Sequence, residues 1–377
     1  MIESDFIVVG AGIAGTSVAY HLSEKYRVSV LEMESQPGYH TTGRSLAMYT
    51  ESYGPGVVRA LAKASFDFLN NPPDGFNERP LSSPSGVMFV AREDQGASLE
   101  RALQEAQAQS PATHRISPAK AVELVPVIRK DYVHTAFLEP NALSLDVDAI
   151  HQGFIRGLKK RGAAIYCDVR VDEAVWDGDR WRLETPYDSF AAPRVVNAAG
   201  AWADQVGAQF GARAIGLQPK RRTVIAFAPP TGITVADRWP FVLDTDEQFY
   251  FKLDAGTVLA SPADATPVPA QDVQPEDIDV AVTVDRIQTA SHLQVHRIIR
   301  KWAGLRSFVG DGVPVVGRDA DAPGFFWCAG QGGYGIETAW AMGQATAALA
   351  SGAELPMHLQ DAGIEAADLT PTRELPR

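Results

Sequence analysis

The stretch DFIVVGAGIAGTSVAYHLSEKYRVSVLE, residues 5–32, decides the fold class of this chain. Its first apolar run, IVVG, predicts a buried strand, and the apolar spacing from about Ile13 to Glu24 predicts an amphipathic helix. A second strand is expected from Arg27 to Glu32. A glycine turn joins the first strand to the helix, so the stretch predicts one βαβ unit of a parallel sheet.

The turn carries the spacing of a dinucleotide-binding fingerprint. Gly10, Gly12 and Gly15 form GAGIAG, and Glu32 follows about 20 residues later. The first glycine permits the turn, the second lets the backbone approach a pyrophosphate, and the third lets helix and strand pack closely. Helix amides would face the phosphates, and Glu32 would accept a hydrogen bond from a ribose hydroxyl. The alternative is a tight turn without a ligand.

Length and charge restrict the classes of protein and partner. With 377 residues, 45% of them hydrophobic, the chain can bury two cores, so two interlocked domains are expected. A net charge of -12 argues against nucleic acid or an anionic membrane as partner and favours a small molecule. Cys167 and Cys328 suggest neither a disulfide framework nor a metal site. Without a signal peptide or a long apolar run, a soluble cytoplasmic protein is expected.

The rest of the chain suggests two kinds of sheet. Helices are expected near 95–109 and 147–160, and a turn-rich stretch at 70–86 suggests a crossing between domains. From Gly216 to Gly304 the pattern is mostly extended, which indicates an antiparallel sheet. The tail GFFWCAGQGGYGIETAW, 324–340, repeats the order strand, glycine turn, helix.

Two further stretches favour FAD over NAD. HTTGRS, 40–45, follows the second strand and could hold another part of a long cofactor. The glycine turn at 330–335 precedes a helix whose N-terminus could stabilise negative charge on a reduced flavin ring. Each could also be a plain turn, but together they indicate a flavin.

Two arginines are candidates for binding an anion. Arg306 lies in the apolar run WAGLRSF, 302–308, where an unpaired charge is costly. It therefore requires either an internal carboxylate or a cavity that receives an anion. Arg222 ends the run PKRR, 219–222, which could equally be a solvated basic segment.

These stretches, together with QPGYHTTGRS (36–45), VVNAAGAW (195–202) and FYFK (249–252), resemble a family of FAD-dependent amine and D-amino acid oxidoreductases. The family includes D-amino acid oxidase, glycine oxidase and sarcosine oxidase, and the resemblance is strong to its bacterial catabolic D-arginine dehydrogenase branch. It implies an α/β (α+β overall) fold with a discontinuous Rossmann-like FAD-binding domain and a substrate domain on a mainly antiparallel sheet. The expected segments are 1–80, 147–213 and 307–377 for FAD, and 81–146 and 214–306 for substrate.

The resemblance also implies a reaction. A D-amino acid would lose hydride from Cα to flavin N5, and water would hydrolyse the imine to a 2-oxo acid and ammonia. Electrons would pass to a quinone or another acceptor. Two alternatives remain open: an oxidase that uses O2 on glycine or secondary amines, and a flavin-binding protein without redox activity. The chain offers no indication of its oligomeric state.

Particular residues take roles from this resemblance. Arg306 and Arg222 match positions that bind the substrate carboxylate, and Tyr53 and Tyr250 match tyrosines that close over the substrate. The expected cofactor-binding residues are Gly10, Gly12, Ala14, Gly15, Glu32, Met33, Thr41, Thr42, Gly43, Arg44, Ser45, Val171, Ala199, Gly200, Gly332, Gly333, Tyr334, Gly335, Ile336 and Glu337. Gly333 is also expected in the substrate pocket.

The sequence departs from the D-arginine dehydrogenase pattern in the pocket. Val87 stands where that pattern has a glutamate that pairs with the substrate guanidinium, and Met48 stands in place of a histidine. A basic side chain would there be desolvated without a partner, so neutral hydrophobic D-amino acids are the expected substrates. Glu51, on the loop that carries Tyr53, could instead supply a replacement charge.

Near the flavin, Glu337 replaces a neutral glutamine, and an ionised carboxylate there would disfavour an anionic reduced flavin. The loop SLAMYTESYGPG, 45–56, suits either a moving lid or an ordinary surface loop. After Arg306, SFVGDG contains no cysteine of the kind that attaches FAD in sarcosine oxidases. FAD is therefore expected to bind non-covalently.

Overall fold

Strands and helices make up most of the computed structural model, which describes residues 1–233 and 238–374. The strands are β1 Ile2–Glu3, β2 Phe6–Val9, β3 Val28–Leu31, β4 Met48–Tyr49, β5 Ser82–Pro84, β6 Val87–Ala91, β7 His114–Ile116, β8 Thr135–Glu139, β9 Leu143–Leu145, β10 Ala164–Tyr166, β11 Glu173–Trp176, β12 Trp181–Glu184, β13 Ser189–Ala192, β14 Arg194–Asn197, β15 Gln218–Phe227, β16 Phe241–Asp244, β17 Tyr250–Asp254, β18 Thr257–Ser261, β19 Thr266–Pro267, β20 Ile298–Phe308, β21 Val315–Arg318 and β22 Phe325–Ala329. The α-helices are α1 Ile13–Leu22, α2 Gly56–Asn70, α3 Gly96–Gln109, α4 Pro118–Leu124, α5 Val147–Lys160, α6 Ala203–Gln209, α7 Asp277–Ala290, α8 Ala339–Ser351, α9 Met357–Asp361 and α10 Ala366–Leu369.

The predicted βαβ unit forms the centre of a six-stranded sheet. Its order is β10-β3-β2-β14-β22-β21, and every pairing is parallel except that of β21 with β22. All residues of β2, β3 and β22 are buried, as expected for strands covered on both faces. Helix α1 packs against β2 and β3 and also contacts α5 and α8. The first helix is thereby held in the middle of this layer.

A second, mainly antiparallel sheet contains nine strands. Eight follow the order β19-β15-β18-β17-β16-β6-β8-β7, and β20 pairs with β15. The pairing of β6 with β16 is parallel, and the other pairings are antiparallel. Phe251, Val242 and Ile225 lie in the buried core of this sheet. Together the two sheets confirm the predicted fold class.

The strands of the two sheets follow the predicted division of the chain. Those of the six-stranded sheet lie in segments assigned to the FAD domain, and those of the nine-stranded sheet lie in the other segments, apart from the end of β20. A small sheet, β4-β9-β5, joins one strand from the first group of segments to two from the second. The domain boundaries themselves stay a prediction.

One helix interrupts the region expected to be mostly extended. Helix α7 begins with Asp277, after Glu276, and the acidic residues of its first turn favour a helix N-terminus. Its sequence DIDVAVTVDRIQTA alternates β-branched residues, which conceals the helical spacing of the buried positions Val280, Thr283 and Ile287. Packing against β15 and β18 outweighs the weak helix propensity.

No helix in the described ranges is both long and apolar enough to cross a membrane.

The fingerprint glycines are required by close contacts. A Cβ atom on Gly15 would lie 1.8 Å from the carbonyl oxygen of Gly10, and one on Gly10 would lie 2.5 Å from that of Ala198. Gly10 also has a φ of 102°, a backbone conformation that residues other than glycine rarely adopt. The first and third glycines therefore act as the sequence predicted.

We expect Gly15→Ala to destabilise the protein by about 1–3 kcal/mol or more, because the new methyl group overlaps backbone that cannot move freely. Gly56→Ala is the matched control, since a Cβ at Gly56, also in a helix, meets no atom within 4 Å. Chemical denaturation of both FAD-loaded variants measures the difference. Equal stability of the two variants would contradict the packing argument.

Candidate active site

Two cavities meet at the N-terminus of helix α1. One lies toward the nine-stranded sheet and is here named the inner cavity; the other lies along the carboxyl ends of β2 and β3 and is named the outer cavity. Both are bordered by the same six residues, Gly12, Thr41, Thr42, Ala198, Gly200 and Ala201. Since these residues surround the helix N-terminus, an extended ligand could cross from one cavity to the other beside the helix amides.

The outer cavity contains the acidic residue of the fingerprint. Glu32 follows β3 and accepts hydrogen bonds from the N–H groups of Ala11 at 2.7 Å and Glu34 at 3.0 Å. Burial raises the pKa of its carboxyl group, and the two N–H groups oppose this rise in part. Glu32 thus braces the glycine turn while bordering the cavity.

These cavities fit FAD. Five of the predicted cofactor-binding residues line the outer cavity: Gly10, Glu32, Met33, Val171 and Ala199. Eight others line the inner cavity: Ala14, Arg44, Ser45, Gly332, Gly333, Gly335, Ile336 and Glu337. Glycines let the backbone approach a planar ring closely, and the helix N-terminus suits a pyrophosphate. Bound FAD supplies the flavin ring that accepts hydride and electrons.

Arg44 connects three segments of the chain at the wall of the inner cavity. Its guanidinium donates to the carbonyl oxygens of Val273 and Ala303, both at 3.1 Å, and forms an ion pair with Asp272 at 2.6 Å. The side chain therefore ties the HTTGRS loop to β20 and to the segment before α7.

Arg306 lies at the wall of the inner cavity without a carboxylate partner among the described residues. Its Nη1 donates to the hydroxyl oxygen of Tyr53 at 3.3 Å. A Cβ on Gly333 would lie 2.9 Å from that Nη1. This glycine therefore allows the guanidinium to approach the loop of residues 332–337, here named the flavin-side loop. Burial lowers the pKa of Arg306, but Tyr53 and Tyr250 help raise it above its ordinary value, and the group stays charged.

Adjacent arginines in β15 face different surroundings. Arg221 is buried and forms ion pairs with Asp264, Glu276 and Asp279. Arg222 instead lines the inner cavity, and its Nε is buried with no hydrogen-bond partner in the described structure. Successive strand residues point to opposite faces, which explains the contrast. The basic run therefore contains one internally paired arginine and one directed at the cavity.

Aromatic side chains surround these guanidinium groups. The ring of Tyr250 lies 5.8 Å from Arg222 Cζ, within the range of a cation–π contact. Tyr53 packs against Tyr334 with ring centroids 5.2 Å apart. Burial raises the pKa of Tyr53 while Arg306 opposes the rise, so its hydroxyl stays protonated at neutral pH. Tyr53 and Tyr250 thus border the same space as the two arginines.

The remainder of the inner cavity is largely apolar. Met48 and Val87, the two residues expected to border the substrate side chain, both line it. It is completed by apolar residues that the sequence reasoning missed, Leu46, Phe89, Val224, Phe241 and Leu243. They lie on β6, β15, β16 and the loop before β4, and no local pattern distinguishes them from ordinary strand residues. The pairing of β6 with β16 brings Phe89, Phe241 and Leu243 together, whereas Val224 and Leu46 come from other elements.

Four predicted residues do not line either cavity. Gly15 and Gly43 make close backbone contacts instead, and Tyr334 packs against Tyr53. Glu51 offers its backbone N–H to Glu139 at 2.9 Å. An unexpected carboxylate, Glu247, lines the inner cavity from an exposed turn before β17. Its turn sequence, TDEQ, contains no feature that would have indicated this.

Curated relatives cover different shares of the chain. Mitochondrial dimethylglycine dehydrogenase of Rattus norvegicus is 22% identical over 270 residues, which are 69% of this chain and 31% of that protein. The chain thus spans about a third of the length of that relative. Glycine oxidase of Bacillus licheniformis is 24% identical over 358 residues, covering 90% of this chain and 91% of the other.

Solved structures share the fold. Glycine oxidase from Geobacillus kaustophilus superposes with a TM-score of 0.83 at 20% identity, covering 99% of this chain and 100% of that one. L-alpha-glycerophosphate oxidase from Mycoplasma pneumoniae, with FAD bound, gives a TM-score of 0.83 at 16% identity, covering 93% and 95%.

A family model agrees with the cavities and the glycine turn. The model described as "DAO: FAD dependent oxidoreductase" matches residues 5–349, which include both sheets and the residues of both cavities. The chain therefore belongs to the FAD-dependent oxidoreductase family DAO, and its cofactor is FAD.

Proposed function

We propose that this protein oxidises D-amino acids with neutral, hydrophobic side chains to 2-oxo acids and ammonia. The observation that carries this proposal is the pair of arginines, Arg306 and Arg222, without carboxylate partners in the described structure at the wall of a largely apolar cavity. A substrate carboxylate supplies the missing negative charge. The apolar wall then receives the side chain.

The guanidinium groups would position the reacting carbon. A planar guanidinium binds a carboxylate with two parallel hydrogen bonds, which restrict both the place and the rotation of the substrate. Tyr53 holds the Arg306 guanidinium, and Tyr250 packs over Arg222. Held in this way, Cα can face the flavin, which accepts the hydride. Water then hydrolyses the imine.

The preference for uncharged side chains follows from the cavity wall. Met48, Val87 and Phe89 offer no charge to a guanidinium or ammonium group. Desolvating such a group without a partner is costly, so D-Arg should be a poor substrate. Glu247, at the exposed turn, is a carboxylate of the same cavity lining that a basic side chain would meet. The D configuration rests on the resemblance to D-arginine dehydrogenase.

Anaerobic bleaching of flavin absorbance by D- and L-amino acids tests the proposal directly. We expect D-Leu, D-Met and D-Phe to bleach the flavin quickly, D-Arg slowly and the L-enantiomers not at all. Bleaching chiefly by D-Arg would support the proposed oxidation of D-amino acids but overturn the proposed preference for neutral side chains. Bleaching by L-amino acids alone would overturn the D configuration.

Oxidation of secondary or tertiary amines is the second candidate. It is favoured by the relatives, which include dimethylglycine and sarcosine dehydrogenases. Sarcosine and dimethylglycine therefore belong in the same bleaching panel, and rapid bleaching by either would favour this candidate.

We further propose a cytoplasmic enzyme with non-covalent FAD that passes electrons to a quinone or similar acceptor. Stoichiometric peroxide during turnover would show O2 to be the acceptor.

We predict that Arg306→Lys lowers kcat/KM for D-Leu by about 10²- to 10³-fold. Lysine cannot make the two parallel hydrogen bonds by which the arginine guanidinium would hold the desolvated substrate carboxylate. Arg300→Lys is the control, since Arg300 lies on the same strand but is exposed beside Trp302. Dye reduction under anaerobic conditions measures the rates, and the flavin content is measured alongside. A similar loss in both variants would remove Arg306 from substrate binding.

Val87→Glu is expected to raise the ratio of D-Arg to D-Leu turnover by at least about tenfold, since it places a carboxylate in the apolar wall. Val87→Gln introduces a side chain of nearly the same size as glutamate but without its charge. It should lower D-Leu turnover without favouring D-Arg. Initial rates with both substrates measure the ratio. If the two variants gave equal ratios, Val87 would lie away from the substrate side chain.

A further inference from the structure

Two buried carboxylates hold three consecutive residues of the loop that carries Tyr53. Glu139, at the end of β8, accepts hydrogen bonds from the N–H of Glu51 at 2.9 Å and the hydroxyl of Ser52 at 2.6 Å. Glu337, from the flavin-side loop, accepts the N–H of Thr50 at 3.2 Å. The segment Thr50–Ser52 is thus held by one carboxylate from each side.

This segment leads directly to the candidate anion site. The next residue, Tyr53, accepts a hydrogen bond from Arg306. Glu337 lines the same cavity as Arg306 and is 4% exposed, whereas Glu139 is fully buried. A charge on Glu337 therefore acts on the loop and on the space before Arg306 at once, with little solvent to screen it.

The groups that face Glu337 come from four elements. They are Glu139 on β8, Arg306 on β20, Tyr49 on β4 and Tyr334 on the flavin-side loop. Burial raises the pKa of Glu337 to about 8 and Glu139 adds to this rise by repulsion, whereas the Thr50 N–H and the positive charge of Arg306 oppose it. No described cation forms an ion pair with Glu337. Its charge therefore changes within the physiological range.

We propose that Glu337 is a positioning residue whose protonation state controls carboxylate binding at Arg306, while Glu139 holds the other side of the loop. This rests on the proposed function, because it requires that Arg306 receives a carboxylate. Neutral Glu337 removes a negative charge from the cavity and favours the incoming anion. Ionised Glu337 holds Thr50 more strongly but repels that anion. Affinity for a carboxylate consequently falls as the pH rises through about 8.

The probe is 4-methylpentanoate, which is leucine without its amino group. It cannot be oxidised, has no stereocentre, and stays ionised at every pH well above about 5, so its own titration does not interfere. Its dissociation constant is measured from the perturbation of flavin absorbance at a series of pH values. For the unmodified protein we expect the constant to rise about tenfold between one pH unit below and one above the Glu337 pKa.

Glu337→Gln keeps an acceptor for the Thr50 N–H but cannot ionise, so its dissociation constant should stay constant over this range. Glu51→Gln is the matched control, because it removes one carboxylate from the same loop without lining the cavity, and it should behave like the unmodified protein. An unchanged pH dependence in Glu337→Gln, or its loss in Glu51→Gln, would overturn the assignment of Glu337.

Hydrogen exchange of residues 48–53 tests the positioning role without any ligand. Glu337→Leu, which has no acceptor, should exchange this segment several-fold faster than Glu337→Gln. Equal exchange would show that Glu337 does not hold the loop. If 4-methylpentanoate fails to bind to every variant, the carboxylate site at Arg306 fails, and control by Glu337 fails with it. Binding with a pH dependence that ignores Glu337 leaves the proposed function intact.

Discussion

Helix α1 approaches the Gly10 turn so closely that a methyl group on Gly15 would lie 1.8 Å from the Gly10 carbonyl oxygen. This contact places the helix N-terminus at the point where the two cavities meet. The carboxylate of Glu32 holds the same turn, because it accepts a hydrogen bond from the Ala11 N–H. The place at which a pyrophosphate can cross, and hence the position of the flavin, depends on that contact.

Unpaired positive charge distinguishes the inner cavity from the rest of the interior. Arg221 is surrounded by three carboxylates, and its charge is satisfied within the protein. Arg222 and Arg306 lack such partners among the described residues. Burying a cation without a partner costs free energy that an anionic ligand can recover on binding. An apolar wall of Met48, Val87 and their neighbours strengthens that attraction by excluding water.

The loop at 45–56 is less free than its glycines suggest. Glu139 and Glu337 are bonded to three successive residues of the loop, and both carboxylates are buried. Burial raises the pKa of each. Both groups lose protons more readily in the unfolded chain than in the folded protein. The contribution of these two groups to stability is therefore fully present below the unfolded carboxyl pKa and is lost as the pH rises through the folded values.

The chain alone determined what depends on local spacing. The glycine pattern of residues 10–15 predicts a tight turn between a strand and a helix, and Glu32 ends the next strand at the spacing of the dinucleotide-binding fingerprint. Helix α5 was predicted with the observed bounds because its apolar residues recur with clear helical spacing. In α7 that spacing was obscured by β-branched residues, so packing decided the outcome.

The residues of the inner cavity come from distant segments, and only the pairing of β6 with β16 and of β15 with β20 places them on one wall. Glu51, next to the predicted lid tyrosine in sequence, lies away from the cavity lining, whereas Glu247 and Glu337 border it. Sequence proximity could not distinguish these carboxylates, because the direction of a side chain depends on the elements packed around it.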